Sequence, residues 1–174
     1  ISLGLVGSEM CIRDRFIAED LGYITKEVDE LKDNYGFPGM NVIQFAFEES
    51  FDSNYLPHNY KRNSVVYAST HDSSTLKGWL DNLDKEELSL VTRYFGLKED
   101  DNYTWKIIRA LMASVSDVAI FQIQDFFELG DESKINSPST LGNNWKWRMK
   151  KEDFTDKLTE RIREMSKLYG RYNG

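Results

Sequence analysis

Residues 64–72 read SVVYASTHD, a short run rich in β-branched residues that ends on a polar Thr-His-Asp sequence. This pattern predicts a buried strand followed by a loop. Residues 17–22, IAEDLG, show a similar pattern, in which an apolar start is followed by the acidic residues Glu19 and Asp20. The carboxyl ends of parallel strands meet at one edge of a sheet or barrel, and active sites are built at that edge. If Glu19 and Asp72 converge there, the pair suits cleavage of a glycosidic bond, which needs a proton donor and anionic support for a cationic sugar.

Short apolar runs alternate with amphipathic helical patterns along the chain. Further strands are predicted at NVIQFAF (41–47) and at VAIFQIQDF (118–126), which has Asp125 near its end. Helices are predicted over residues 25–36, 74–82, 84–95, 103–116 and 153–169. This order predicts an α/β fold of parallel strands joined by right-handed crossovers. Four strands are too few for a (β/α)8 TIM barrel, which needs about 250 residues, so we expect the C-terminal half of one.

The composition describes an ordinary globular protein and narrows its partners. The 174 residues are 40% hydrophobic and 29% charged, which is typical of one soluble domain. The net charge of −7 argues against nucleic acid and an anionic membrane surface as partners. The only cysteine is Cys11, so the body of the chain forms no disulfide. This fits a reducing compartment, and we expect a cytoplasmic protein.

Residues 1–15, ISLGLVGSEMCIRDR, do not belong with the rest of the chain. They lack an initiator Met, and their apolar opening is too short to span a bilayer. They also lack the basic leader and the cleavage site of a signal peptide. Because their amino-acid sequence resembles a translated sequencing adapter, we expect residues 1–15 to be a non-native tail. We assign residues 16–174 to the functional domain.

Each acidic candidate also has a purely structural interpretation. Glu19 is a candidate general acid, but it can equally end a strand or cap a helix. Asp72 can face a cationic sugar while His71 donates a hydrogen bond to a hydroxyl. Alternatively, Asp72 or Ser73 can serve as the N-cap of the next helix. A zinc site is a weak interpretation, because the chain holds only one other histidine, His58.

Two loops carry groups that bind sugars. Residues 135–148, INSPSTLGNNWKWR, offer amides, aromatic rings and a guanidinium, while the structural alternative packs Trp147 beneath the sheet. Residues 55–64, YLPHNYKRNS, can shape a pocket rim through Pro57 and Asn59, although a plain loop is the simpler interpretation.

Five ordered motifs together resemble the amylomaltases, the 4-α-glucanotransferases of the α-amylase clan. The motifs are IAEDLG, YGFPGMNVIQFAF, YLPHNY, VVYASTHDSST and NSPSTLGNNWKWR, and the terminal LYGR is also similar to the family's usual ending. The resemblance runs from about Phe16 to the end of the chain. It implies an enzyme that transfers α-1,4-glucan segments between maltooligosaccharides by a retaining double displacement, with no cofactor and no metal.

The resemblance also implies roles for four residues. Glu19 corresponds to the general acid/base and Asp72 to the aspartate that stabilises the transition state. His71 and Asn136 correspond to substrate-binding residues. The family's nucleophile is an aspartate in an Arg-x-Asp-His context before Glu19, and no such stretch is present here. The alternatives are a hydrolase of the same clan and a non-catalytic sugar-binding module, and we expect this chain alone to be inactive.

Overall fold

A three-stranded parallel sheet organises the protein. The computed structural model describes residues 16–22, 24–47 and 53–172, so the predicted tail at residues 1–15 lies outside the described residues. The strands are β1 (Gly39–Val42), β2 (Ser64–Tyr67) and β3 (Val118–Ile120), in the order β1-β2-β3. Gly39 lies opposite Ser64, and Val65 lies opposite Val118. The predicted parallel pairing and the α/β class are confirmed.

Helices connect and cover the strands. They are α1 (Lys26–Tyr35), α2 (Leu76–Asn82), α3 (Lys85–Phe95), α4 (Tyr103–Met112), α5 (Ile123–Phe126) and α6 (Asp156–Leu168). Each of the five stretches predicted to be helical contains one of them. Short 3-10 turns occur at Ile43–Phe47, Pro57–Asn59, Asp131–Ser133 and Lys151–Asp153. Across the described ranges, no helix combines the length and the apolar character of a membrane span.

Helix ends follow the local sequence. Asp84 begins α3 by accepting hydrogen bonds from the backbone N–H groups of Glu86 and Glu87, and the Glu87 carboxylate accepts the Asp84 N–H in return. Thr25 is the N-cap residue of α1, where the predicted helix begins, but its side chain makes no capping hydrogen bond. Gly36 ends that helix in the left-handed region (φ 67°), as its sequence position predicts.

Two predicted strands are shorter than the sequence indicated. NVIQFAF contributes only its first two residues to β1 and then forms the 3-10 turn Ile43–Phe47. VAIFQIQDF contributes β3 and then enters α5. Short apolar runs fit a strand or a helix equally well, so periodicity alone does not show where the strand ends and the helical turn begins. In each run a glutamine just after the end of the strand, Gln44 or Gln122, donates a hydrogen bond to the loop that follows β2.

The predicted strand over FIAEDL (residues 16–21) is wrong. Among the described residues, its backbone is joined to the lead-in of β1 by one hydrogen bond, from Ala18 N to Pro38 O (2.9 Å). The Asp20 carboxylate adds two more, from Met40 N (2.7 Å) and Lys32 Nζ (2.6 Å). The segment therefore lies beside β1 through one backbone and one side-chain hydrogen bond, whereas a strand needs a ladder of backbone hydrogen bonds.

The hydrophobic core joins the sheet to the helices that follow β2. Its fully buried members include Val66 on β2, Leu76 on α2, Val91 on α3, and Ile108 and Leu111 on α4. The aliphatic side chains of α4 recur at helical spacing, so one face of that helix is turned inward. This packing fixes β2 and therefore the start of the loop that leaves it.

Truncating a core side chain tests this packing. Leu111→Ala should lower the free energy of unfolding by about 3 kcal/mol, because Leu111 is 0% exposed and its loss leaves a cavity. The same change at Leu141, which is 102% exposed, should alter it by less than about 0.5 kcal/mol. Urea denaturation followed by circular dichroism measures both. Equal effects at the two positions would contradict the assignment of the core.

Candidate active site

His71 and Asp72 occupy the corner of a tight turn. The loop that leaves β2, residues 68–76, is called the His-Asp loop here. Within it Ser73 N donates to Thr70 O (3.3 Å), and Thr70 N donates to Ser73 Oγ (2.9 Å). His71 and Asp72 are thus the two central residues of a β-turn, and their side chains are 53% and 50% exposed. Both remain accessible to a ligand.

The N-cap of the following helix is Thr75. Its Oγ1 accepts a hydrogen bond from Gly78 N (3.0 Å) at the start of α2. The structural alternative that made Asp72 or Ser73 the N-cap is therefore wrong. Asp72 lies one turn too early to satisfy the helix, so capping does not explain its position.

Asn136 brings the 135–148 loop to the Asp72 carboxylate. Its Nδ2 donates to Asp72 Oδ1 over 2.6 Å, and its backbone N donates to His71 O over 3.1 Å. His71 Nε2 lies 3.4 Å from the same Oδ1. In the described part of the chain, Oδ2 of Asp72 accepts no hydrogen bond, and the side chain is half exposed. His71, Asp72 and Asn136 therefore form one polar cluster, the His-Asp-Asn cluster.

Trp145 borders this cluster. Its ring centroid lies 5.3 Å from that of His71, and the side chain is 57% exposed. Its backbone has φ 63°, a region that bulky residues rarely adopt, and its N–H donates to Ile135 O (2.6 Å). Asn144 orders the same loop by accepting from Ser137 N (3.0 Å). The loop thus holds an aromatic face beside the polar cluster.

Glu19 is accessible but does not contact the His-Asp-Asn cluster. It is exposed, and within the described residues its carboxylate makes no hydrogen bond or ion pair. Its chain neighbours Ala18 and Asp20 bond to residues at the beginning of β1, whereas Asp72 lies beyond the end of β2. The expected convergence of Glu19 and Asp72 stays a prediction.

The rim residues of the 55–64 stretch have structural partners. Asn59 Nδ2 donates to Ser53 O (3.0 Å) within its own loop, and His58 Nδ1 lies 2.9 Å from the Tyr94 hydroxyl on α3. A cleft of about 520 Å³ lies nearby, at the N-terminal ends of β1 and β2 and against α1. None of Glu19, the His-Asp-Asn cluster or Trp145 lines it. We therefore place the candidate site at the open surface around Asp72 rather than in this cleft, because His71, Asn136 and Trp145 gather there around an accessible carboxylate.

Buried polar groups beneath the His-Asp loop were not identified as important from the sequence. Asp125 is 0% exposed and accepts from Ser69 Oγ (2.5 Å) and Leu76 N (2.8 Å). Gln44 is 6% exposed and donates to Ala68 O (3.0 Å) and Ser74 O (2.8 Å). In the sequence, Asp125 is marked only by its place near the end of the apolar run VAIFQIQDF. The available signal was a polar side chain inside an otherwise apolar stretch, which requires a buried partner.

Burial changes the titration of Asp125. Loss of solvent around the carboxylate raises its pKa to about 6, and the hydrogen bonds from Leu76 and Ser69 offset only part of that effect.

No group of three or more His, Cys, Asp or Glu side chains in the described ranges is arranged to hold a metal ion.

Sequence comparisons identify a group of similar proteins. The sequence profile described as 4-alpha-glucanotransferase matches residues 8–155. A 4-alpha-glucanotransferase of Clostridium butyricum is 47% identical over 156 residues, which are 89% of this chain and 32% of that protein. The chloroplastic/amyloplastic 4-alpha-glucanotransferase of Arabidopsis thaliana is 43% identical over 160 residues, 90% of this chain and 28% of that protein. The chain thus spans about a third of the length of these relatives.

Solved structures agree with the sequence matches. An amylomaltase from Streptococcus agalactiae, solved in complex with acarbose, is similar with a TM-score of 0.88 and 36% identity, over 95% of this chain and 34% of that one. The amylomaltase of Corynebacterium glutamicum has a TM-score of 0.57 and 20% identity, over 90% of this chain and 28% of that one. The second likeness concerns the fold alone.

The raised pKa of Asp125 predicts a pH-dependent stability. Its ordinary pKa is 3.8, so between about pH 4 and 6 the folded chain binds more protons than the unfolded chain. Its contribution to stability should therefore fall as pH rises through this window, by a total on the order of 3 kcal/mol. Urea denaturation at pH 4, 5, 6 and 7 measures the free energy of unfolding of the wild type and of Asp125→Asn. The wild-type value minus the variant value should fall as the pH rises.

The matched control is Asp81→Asn, an exposed carboxylate on α2 paired with Lys77. The difference between the wild type and this variant should show no such fall. A pH-independent difference for Asp125→Asn would contradict the raised pKa.

Proposed function

The chain belongs to the 4-alpha-glucanotransferase family, and we propose that it forms part of an enzyme that transfers α-1,4-glucan segments between maltooligosaccharides. The observation that carries this proposal is the His-Asp-Asn cluster, in which Asn136 donates a hydrogen bond to an accessible Asp72 carboxylate and His71 lies 3.4 Å from the same oxygen. A carboxylate with one oxygen fixed by an amide donor and the other without a hydrogen-bond partner can face a developing positive charge. Such a charge forms on the sugar when a glycosidic bond breaks.

The proposed chemistry is a retaining double displacement. A carboxylate attacks the anomeric carbon, the bond to the glycosidic oxygen breaks, and Glu19 gives its proton to that leaving oxygen. An acceptor hydroxyl then loses its proton to Glu19 and attacks the same carbon, which releases the carboxylate. In this proposal Asp72 stabilises the cationic transition state of both steps, and the nucleophilic carboxylate comes from outside this chain.

Binding groups around Asp72 suit a sugar. His71 and Asn136 offer hydrogen bonds to hydroxyls, and the exposed face of Trp145 offers an apolar surface to the C–H groups of a ring. Transfer instead of hydrolysis requires that a bound acceptor hydroxyl reacts before water does, which an oriented acceptor achieves. The proposed partners are therefore maltooligosaccharides or other α-1,4-glucans.

We further propose that the three strands belong to the C-terminal half of a larger (β/α)8 barrel. The strands are parallel and lie in the order of the sequence, as consecutive barrel strands do. On the outer strand β3, Val118 is 43% exposed and Ile120 is 40% exposed, which is unusual for aliphatic side chains on a parallel strand. Further strands and helices of a longer protein would cover them. A cytoplasmic location stays a prediction.

Replacing the proposed acid/base tests the mechanism. In the full-length enzyme that contains this segment, Glu19→Gln should lower kcat about 100- to 10,000-fold, because an amide cannot donate and recover the proton. The dissociation constant for maltotetraose, measured by calorimetry, should change little. Glu30→Gln, an exposed residue of α1 paired with Lys26, is the matched control and should keep full activity. A small effect at Glu19 would rule out its proposed role.

The product pattern distinguishes the classes of enzyme. With maltotriose as the only substrate, a transferase should yield longer and shorter oligosaccharides, whereas a hydrolase should yield mainly glucose and maltose without longer products. Binding without any turnover, unaffected by Glu19→Gln and Asp72→Asn, would indicate a sugar-binding module. The 174-residue chain alone should give no turnover in the same assay, and turnover by it would contradict a nucleophile supplied from outside the chain.

A further inference from the structure

We propose that Asp125 is a positioning residue for the reaction: its buried carboxylate fixes the His-Asp loop so that Asp72 keeps the orientation the transition state requires. The inference rests on the role proposed above for Asp72. It concerns a buried residue whose carboxylate bonds to Ser69 and Leu76 and not to Asp72.

Asp125 binds both limbs of the His-Asp loop. Ser69 Oγ donates to Oδ2 (2.5 Å) on the limb that enters the Thr70–Ser73 turn. Leu76 N donates to Oδ1 (2.8 Å) on the limb that leaves it. A single carboxylate thus closes the base of the loop that carries His71 and Asp72 at its tip.

Gln44 completes this base from the opposite side. Its Nε2 donates to Ala68 O (3.0 Å) and to Ser74 O (2.8 Å), again one contact on each limb. Gln44 follows β1, and Asp125 lies on α5 after β3, so the two outer strands of the sheet hold the loop of the middle strand. The amide supplies donors to carbonyl oxygens, and the carboxylate supplies acceptors to the Ser69 hydroxyl and a backbone N–H.

Fold stability alone is a poor explanation for a carboxylate here. Burying a charge carries a large desolvation cost, and neutral or apolar groups of similar size usually serve a core as well or better. A carboxylate offers two acceptor oxygens in one rigid plane, which an amide does not. Gln122 also restrains Ser69, since its Nε2 donates to Ser69 Oγ (2.7 Å). Because the Ser69 hydroxyl accepts from Gln122, it donates its own hydrogen to Asp125. An asparagine at position 125 has only one acceptor oxygen, so either the Ser69 hydroxyl or the Leu76 N–H would lose its acceptor.

The test compares four variants of the full-length enzyme that contains this segment. Asp125→Asn should lower kcat per folded molecule by up to about 100-fold while KM changes less than about twofold, because an interaction made in the transition state is misplaced. Ser69→Ala, which removes one of the two contacts, should lower kcat several-fold. Asp72→Asn tests the proposed function itself, and Asp81→Asn on the surface of α2 is the control and should keep full activity. The folded fraction is measured by circular dichroism melting.

The outcomes separate the two proposals. If Asp72→Asn keeps its kcat, the proposed function fails, and the positioning role fails with it. If Asp72→Asn is inactive while Asp125→Asn and Ser69→Ala keep full kcat per folded molecule, the positioning role alone is overturned. If Asp125→Asn does not fold, the kcat of Ser69→Ala decides: a several-fold loss with unchanged KM supports the inference, and no loss overturns it.

Discussion

The hydrogen bonds that a buried carboxylate and a buried amide make to the loop after β2 are the constraint on which the rest of the site depends. Asp125 accepts from Ser69 and Leu76, and Gln44 donates to Ala68 and Ser74. Polar groups in a protein interior must be paired, because an unpaired buried donor or acceptor costs roughly 1–3 kcal/mol. The loop can therefore adopt few conformations that satisfy all of these groups. Its exposed tip is held by its buried base.

The contacts at the tip form a second layer that comes from a distant part of the chain. Asn136 and Trp145 reach His71 and Asp72 from the 135–148 loop, which begins soon after α5. Asp131, in the 3-10 turn between α5 and that loop, accepts from Ser74 Oγ (3.0 Å) and Thr75 N (3.1 Å). The segment after β3 thus contacts the His-Asp loop at three places: Asp125 bonds to Ser69 and Leu76, Asp131 to Ser74 and Thr75, and Asn136 to Asp72. This stretch of chain and Gln44 together order the candidate site.

Local sequence rules predicted most secondary structure but not where the strands end. The five helical stretches were recognisable from the helical spacing of their apolar residues. Strand β1 ends at Val42 and strand β3 ends at Ile120. Two residues beyond each end, Gln44 or Gln122 donates a hydrogen bond to the loop after β2. These are tertiary contacts, so no window of local sequence contains them. FIAEDL failed as a strand for a similar reason, since Asp20 binds Met40 and Lys32 in place of a backbone ladder.

The sequence by itself determined the α/β class, the parallel arrangement and the family, and the match over residues 8–155 confirms the predicted family resemblance. These features depend on side-chain periodicity and on ordered motifs, which can be read along the chain. It also named Asp72, His71 and Asn136 as candidates. Only the tertiary structure decided that Asn136 bonds to Asp72 across 64 positions of sequence, and that Asp125 holds the loop beneath them. The reason is physical: a hydrogen bond needs its two atoms within about 3 Å, and for residues so far apart in the chain that distance is set by how the strands and helices pack.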